Sequence, residues 1–599
     1  MHAPAGPNTP QCPPPDKMYT AVENAVFLNK DLQILLRVSP GLQAAPWGRE
    51  SRHRPQPHSN TGVISADDSP PKIIPLNYYD GNLLMKTMLC RAMFVFDSAL
   101  NPEKLRSGLC TLAEKEGWEK IGARLRCRWN GQLEYHIPSK FTALQPAIMF
   151  SQERYAMDMK NHPIASQIPV PGPAEQPSVI ADSEAFRSLL NHQNAPKTVR
   201  EYVGADIPQV ALHVVAFSDA TVISISWPHT FADGMGMMGL IQAWTLVLED
   251  PEARVPPPHE IESNPLKTLR QNPTEPYKWL DRQMSNWQKL KYACRRLPGY
   301  LLHPRVNRVV CVPSSFIASL REEALKDIRN LQSPTAPFVS ENDVLFAWWA
   351  RLVFSHTPRN LNQTLNLFTT VSRRGALSKD LLPPDAIYLS NAIGVVQTLM
   401  TKKDLLKEPL GYAAYRIRQT ILGDNTREQI EAQEALSANS ILGLPSLLGD
   451  SSMEALLSTS MIKGNMYDLN FSCAARKDKL SDPNSAIKPY YIQPFLSVGA
   501  YDLLTLVVRV AASLPGLFWY FSTGIDSKRK SVTGLSRLET LVESPLRLRR
   551  GNECATGGSS RESSFRAYNM SPAQGGHYWV VFTEVNSVDI WWESPGPSG

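Results

Sequence analysis

Several things are scarce or missing in this 599-residue chain. The eight cysteines (Cys12, Cys90, Cys110, Cys127, Cys294, Cys311, Cys473, Cys554) lie far apart and never in a CxxC spacing, which argues against a zinc site and a disulfide scaffold. The opening stretch, MHAPAGPNTPQCPPP, has no basic segment leading into an apolar one. No secretory signal is therefore read there, and an intracellular, cytoplasmic protein with reduced thiols is expected. No short repeat of solenoid type occurs. Charge of one sign is also in short supply: 62 Lys and Arg against 56 Asp and Glu give a formal +6 spread over the whole chain. That is far from a nucleic-acid footprint, although a phosphate-bearing small molecule remains compatible with it.

What is present is an ordinary globular composition, 43% hydrophobic and 20% charged, on a chain too long for one core and long enough for two or three. The 49 prolines are the exception, and they have addresses. Residues 1–70 hold PQCPPP, RHRPQPH and DDSPP around a single apolar island, a composition that predicts a largely disordered arm. A second proline-rich break, RVPPPHEIESNPLKTLRQNPTEP (254–276), reads as a crossover, extended to 254–305 by a helix-like stretch, YKWLDRQMSNWQKLKYACRRL. On both sides strand-like segments lead into helix-like ones. MLCRAMFVFD precedes Asn101-Pro102, a helix cap and first-turn proline, and Leu105, Leu109, Leu112 and Ala113 then share one helical face. NRVVCVP likewise precedes SSFIASLREEALKDI. Two α/β halves of similar size are expected, 71–253 and 306–499.

Residues 500–573 read as an atypical insertion. Leu503–Phe521 (LLTLVVRVAASLPGLFWYF) is nearly long enough to span a membrane, but Arg509, Pro515 and Gly516 interrupt it. Three readings stay open for it: a buried core segment, translated non-coding sequence, or a membrane helix. A basic, serine-rich tract follows, and GGHYWVVFTEVNSVDIWW near the end of the chain resumes strand-like alternation within a terminal stretch at 574–599.

One segment carries chemistry. Val210–Phe217 and Ala220–Trp227 are separated by Ser-Asp, a plausible hairpin, and in the second run Ile223, Ile225 and Trp227 alternate with smaller or polar residues as in a half-buried strand. Pro228 and His229 end that strand. Asp233, Gly234, Gly236 and Gly239 follow and lead into LIQAWTLVLED with helical spacing. An imidazole held where a strand breaks into a glycine-rich turn can project into a cleft, as a general base must. A histidine beside proline at a strand end is by itself more often structural, and Asp233 is also a reasonable helix cap.

The order His229-x-x-x-Asp233-Gly234 resembles the BAHD-type acyl-CoA-dependent acyltransferases, and more closely their fungal secondary-metabolism members. Further stretches match in family order: IIPLNYYD, WEKIGARLRCR, VSENDVLFAWWARLV, VSRRGAL and YLSNAIG. The resemblance covers about residues 71–500 and resumes near 575–593. Chloramphenicol-type acetyltransferases and peptide-synthetase condensation domains share the motif. Condensation domains usually carry two adjacent histidines, however, and here Pro228 precedes His229.

The resemblance implies two chloramphenicol-acetyltransferase-like domains, mixed sheets flanked by helices, with the active site at their interface. It implies an O-acyltransferase moving an acetyl group from acetyl-CoA to a hydroxyl of a terpenoid or polyketide, with no bound cofactor or metal, working as a monomer with no nucleic-acid or membrane partner. His229 would be the base. Asp233 would be turned away from the reaction and paired with Arg373 or Arg374, and Gly234 would support the turn. Ser460 is the candidate oxyanion donor, and Asn391 a residue of the inter-domain packing. Trp348 and Trp349 read as helix core. The family's second motif, Asp-Phe-Gly-Trp-Gly in plant members, falls at Leu469-Asn470-Phe471-Ser472, where Asn470 replaces the aspartate and Ser472 the first glycine. That change and the insertion support the alternative, a catalytically impaired homologue or a binding protein.

Overall fold

The computed structural model describes residues 70–498 with breaks at 171–175, 191–194, 260–261, 303–305, 332–337, 356, 358–359, 439, 441–445 and 477–484, and the backbone of two strands at 517–525 and 576–584. The proline-rich arm and most of 500–573 lie outside the described residues. Fifteen strands are described: β1 (Lys72–Pro75), β2 (Met88–Phe96), β3 (Arg124–Cys127), β4 (Leu133–Ile137), β5 (Met149–Arg154), β6 (Ser178–Ala181), β7 (Ala211–Ala216), β8 (Thr221–Pro228), β9 (Val306–Pro313), β10 (Thr364–Ser372), β11 (Ile393–Thr401), β12 (Glu454–Ser460), β13 (Tyr491–Val498), β14 (Leu517–Ile525) and β15 (Gly576–Glu584). The helices are α1 (Tyr78–Gly81), α2 (Pro102–Ala113), α3 (Val199–Gly204), α4 (Gly234–Glu249), α5 (Asn286–Leu302), α6 (Ser314–Leu331), α7 (Glu341–Ser355), α8 (Lys402–Lys407), α9 (Leu410–Asp424) and α10 (Arg427–Ala438).

Two mixed sheets carry the molecule, one in the order β13-β2-β8-β7-β5 and one in the order β11-β10-β12-β14-β15-β9-β6. A small sheet, β1-β4-β3, stands beside the first. The expected hairpin forms, with β7 antiparallel to β8. The expected helix forms too: Asn101 caps α2 by accepting from Glu103 N at 3.0 Å and Lys104 N at 3.3 Å. Its apolar face buries Leu105, Leu109 and Leu112 in the same core as Phe94 and Phe96 of β2 and Leu240 and Trp244 of α4. Each such side chain contributes about 1.5–3 kcal/mol. A second core joins Val310 and Val312 of β9, Leu365 and Leu367 of β10, and Phe346, Ala350, Ala413 and Ile417 of α7 and α9.

The structure departs from the sequence reading in four places. First, β8 is buried at every position and not half-buried, because it lies inside the five-stranded sheet with both faces covered. Second, the sheets do not follow the boundaries 71–253 and 306–499. Strand β13 pairs antiparallel with β2 in the first sheet, and β6 pairs with β9 at the edge of the second. Third, α5 begins only at Asn286. Residues before it are tied elsewhere, Met284 N to Leu447 O and the Trp279 indole to Asp424, and Ser285 and Gln288 cap the helix reciprocally. Fourth, part of the stretch set apart as an insertion belongs to the fold: β14 lies between β12 and β15 in the seven-stranded sheet. Among the described residues no helix is long and apolar enough to cross a membrane.

Candidate active site

Strand β8 delivers His229 at its end. The His229 amide donates to Met88 O on β2 at 2.9 Å, so the turn leaves the sheet under backbone control, and Phe231 N closes it on Pro228 O at 2.9 Å. Asp233 then caps α4, accepting from Gly236 N at 2.8 Å. The glycines after it are explained by close approach. A Cβ on Gly236 would meet Tyr388 O at 3.0 Å, and one on Gly234 would meet the end of Met461 at 2.3 Å. The helix start is thereby pressed against segment 387–392 of the C-terminal half.

The two arginines offered by the sequence have separate partners. Arg374 grips Asp233 with both guanidinium ends, Nη1 to Oδ2 and Nη2 to Oδ1, each at 2.8 Å. Burial alone would raise the Asp233 carboxyl, but Arg374 and the amides of Ala392 and Gly236 outweigh it and hold the group below its ordinary value. Arg373, in contrast, turns to α10, where it pairs with Glu434 and donates to Gln433 at 2.6 Å. Glu434 is not singled out by the sequence, since a glutamate in a helical run gives no sign of burial. Asn391 does more than pack: its Nδ2 donates to the backbone carbonyl of His229 at 2.8 Å and to Asp80 at 2.7 Å.

His229 opens on a cavity of about 820 Å³ that draws on both halves. Around the imidazole its wall is apolar and rich in methionine, with Met88, Met237, Met461 and Trp227 among the lining side chains. Helices α6, α7 and α9 supply a different wall. There Arg321 and Arg418 lie 5.7 and 5.4 Å from the centre of the Phe338 ring, which is 60% exposed, and Arg418 is paired with Asp343. Burial pushes the His229 imidazole below its usual pKa; the Asp233 charge pulls the other way without cancelling it. Burial thus favours the neutral form of the ring, which can accept a proton.

Ser460, at the end of β12, lines this cavity. Asn470 does not. It is exposed, and its Oδ1 accepts from Ser472 N at 3.0 Å, a local turn, while Phe471 packs edge-on against Phe96 and Trp244. The altered motif thus forms a core contact away from the cavity. Among the described residues no three His, Cys, Asp or Glu side chains gather as a metal site.

A family model described as the transferase family matches residues 178–476. A relative named transcriptional regulator calD, from Penicillium decumbens, is 34% identical over 76% of this chain and 94% of its own. The acetyltransferase adrJ of Penicillium rubens is 33% identical over 70% of this chain and 84% of its own. The crystal structure of F. graminearum TRI101 with coenzyme A and T-2 mycotoxin superposes with a TM-score of 0.52 at 12% identity, over 75% of this chain and 91% of that one, which is a likeness of fold. Sharing a third of its residues with such relatives over most of their length, and holding His229 and Asp233 in the lining of a cavity that draws on both halves, the chain belongs to the transferase family of BAHD-type acyltransferases and is an acyltransferase.

Proposed function

We propose that His229 is the general base of an O-acyltransferase that moves an acetyl group from acetyl-CoA to a hydroxyl of an apolar secondary metabolite, a terpenoid or polyketide alcohol. The observation that carries this reading is an imidazole held at a strand end, its pKa lowered by burial, in the lining of a cavity that also takes in Met88, Met237, Met461 and Trp227 and, from other helices, Arg321 and Arg418. The imidazole takes the acceptor's proton as its oxygen attacks the thioester carbonyl. The new C–O bond gives a tetrahedral oxyanion, to which Ser460 can donate. Collapse breaks the C–S bond, and the departing thiolate recovers the proton from His229. The thioester is already activated, so no acyl-enzyme is required. Asp233, occupied by Arg374 and two amides, serves as scaffold and not as proton relay. Arg373, just after β10, and Glu434 on α10 brace the same region.

Arg321, beside the exposed Phe338 ring, is suited to coenzyme A, with the guanidinium for a phosphate oxygen and the ring for the adenine, while Arg418 is held by Asp343. The methionine-rich wall suits an apolar acceptor, because thioethers adapt to irregular shapes. Such a reaction calls for no metal, nucleic acid, membrane or second subunit, and fits a cytoplasmic monomer.

The test is thiol release from acetyl-CoA by the full chain over a panel of apolar alcohols, with the acetylated product identified by mass spectrometry. His229→Ala is expected to lower the rate by roughly 10²–10⁴-fold while leaving the thermal midpoint in place. An unchanged rate refutes the mechanism. A chain that binds the alcohols and never transfers would instead be the non-catalytic homologue.

A further inference from the structure

Four consecutive carbonyls of the loop that carries His229 each accept a hydrogen bond from a different side chain. Asn391 Nδ2 reaches the carbonyl of His229 at 2.8 Å, the Tyr135 hydroxyl on β4 that of Thr230 at 2.6 Å, the Lys120 ammonium that of Phe231 at 3.0 Å, and the Trp227 indole that of Ala232 at 3.0 Å. Loops usually leave such groups to water. Here they are held from inside the protein, and two of the holders involve buried formal charges.

Lys120 is 3% exposed. Beyond Phe231, its ammonium donates to Leu389 O at 2.6 Å and Ser390 Oγ at 2.9 Å, so it joins the His229 loop to segment 388–392. The Tyr135 and Phe231 rings lie 5.1 and 5.2 Å away. Asp80, on α1 and 2% exposed, makes the second join. It accepts from Asn391 N at 2.9 Å and from Asn391 Nδ2 at 2.7 Å, and that same amide reaches His229 O. Burial drives the Lys120 pKa down to about 8 and the Asp80 pKa up, and each charge is stabilised by the other. Neither side chain lines the cavity. On its other side, segment 388–392 is held by Arg374, which donates to Tyr388 O at 3.1 Å and Ser390 O at 3.0 Å, and by Asp233, which accepts from Ala392 N at 2.8 Å.

We propose that Asp80 and Lys120 are positioning residues, two buried groups of opposite charge, each bonded to segment 388–392, that together lock it onto the 229–232 loop and so set the His229 ring in the cavity. The inference rests on His229 being the base. Buried charges are expensive to keep, and a neutral core of the same volume is often as stable. What the pair supplies is geometry: a lysine offers three diverging donors, which here reach two chain segments, and the carboxylate fixes the amide that touches His229.

Full-length Lys120→Met, Asp80→Asn, the double variant and His229→Ala test this together. The measurements are the thermal midpoint, kcat and KM for acetyl-CoA with decanol as probe acceptor, and the titration of the His229 ring by NMR in protein carrying labelled histidine, its signal assigned by its absence in His229→Ala. Each single variant leaves the other charge buried alone, so its midpoint falls. The double variant is expected to regain most of the midpoint, yet to keep kcat lowered by roughly 10–100-fold with KM within about twofold. Its ring is expected to titrate nearer the ordinary value of ~6.5, because the loosened loop admits water and the two charge changes offset one another. Recovery of kcat together with the midpoint, or a ring titrating as in the unaltered protein, overturns the proposal. Full activity in His229→Ala would instead sink the general-base reading, and if decanol is not turned over, the ring titration in the double variant decides the positioning role.

Discussion

Asp233→Asn separates scaffold from chemistry, and its cost can be worked out from the contacts. The carboxylate accepts four hydrogen bonds: Oδ2 from Arg374 Nη1 and Ala392 N, Oδ1 from Arg374 Nη2 and Gly236 N, all at 2.8 Å. Asparagine keeps the shape but only one accepting atom. Whichever way its amide turns, its NH2 group faces two donors, and Arg374 loses its counter-charge. Removing one partner of a buried pair costs about 3–5 kcal/mol. Arg374 keeps the carbonyls of Tyr388 and Ser390, and its side chain is 20% exposed, which points to the lower end, about 3 kcal/mol. At roughly 1–2 °C per kcal/mol for a fold of this size, the midpoint falls by roughly 3–6 °C. Thermal unfolding followed by circular dichroism measures this, with thiol release assayed well below the midpoint, where a scaffold variant retains turnover. The pH dependence has a definite sign. Asp233 is depressed in the folded protein, so its stabilisation is complete above the unfolded value of ~3.9 and is lost as pH falls through the lower folded value; the gap between the two proteins therefore closes in acid. A variant that melts within about 2 °C of the unaltered protein and yet releases no thiol refutes this reasoning and gives Asp233 a direct role.

Three further outcomes are expected. Because burial depresses His229, the acid limb of kcat/KM should have its midpoint below ~6.5, and a pH profile with the limb above that value would contradict a buried base. Arg321→Gln should raise KM for acetyl-CoA by about tenfold with kcat unchanged, the signature of lost uniform binding; a fall in kcat at constant KM would place Arg321 at the reacting atoms. Gly236→Ala should destabilise by about 1 kcal/mol despite the better helix propensity of alanine, since its Cβ would lie 3.0 Å from the backbone oxygen of Tyr388, and a raised midpoint would show that segment 387–390 yields freely.

The site was legible where it is local. A strand, a proline, a histidine and a run of glycines within a dozen residues place His229 and Asp233 without any tertiary information, and α2 follows from Asn101-Pro102 and its leucine spacing. The choice between Arg373 and Arg374 was not legible, because adjacent arginines leave the chain in different directions and only the fold shows Glu434 waiting for one of them. Lys120 reads as an ordinary surface lysine within WEKIG; its burial comes from the meeting of two loops more than a hundred residues apart, Phe231 and Leu389. Likewise β14 begins only after Pro515-Gly516, the break that obscures the apolar run around it, and its partners lie on either side of a long stretch of chain. The exchange of β6 and β13 has no sequence signature, since strand pairing records no address.

That exchange has a consequence for synthesis. Strand β2 lies between β8 and β13, and about 260 residues separate the end of β8 from the start of β13. At roughly 5–20 residues per second, the ribosome needs on the order of 13–50 s to make them. Throughout that interval the sheet that carries His229 has an unpaired inner edge, with Met88–Val95 open to any passing strand. The emerging chain is therefore most exposed to mispairing while its His229 loop is already made, and a fragment ending before Tyr491 keeps that edge for good.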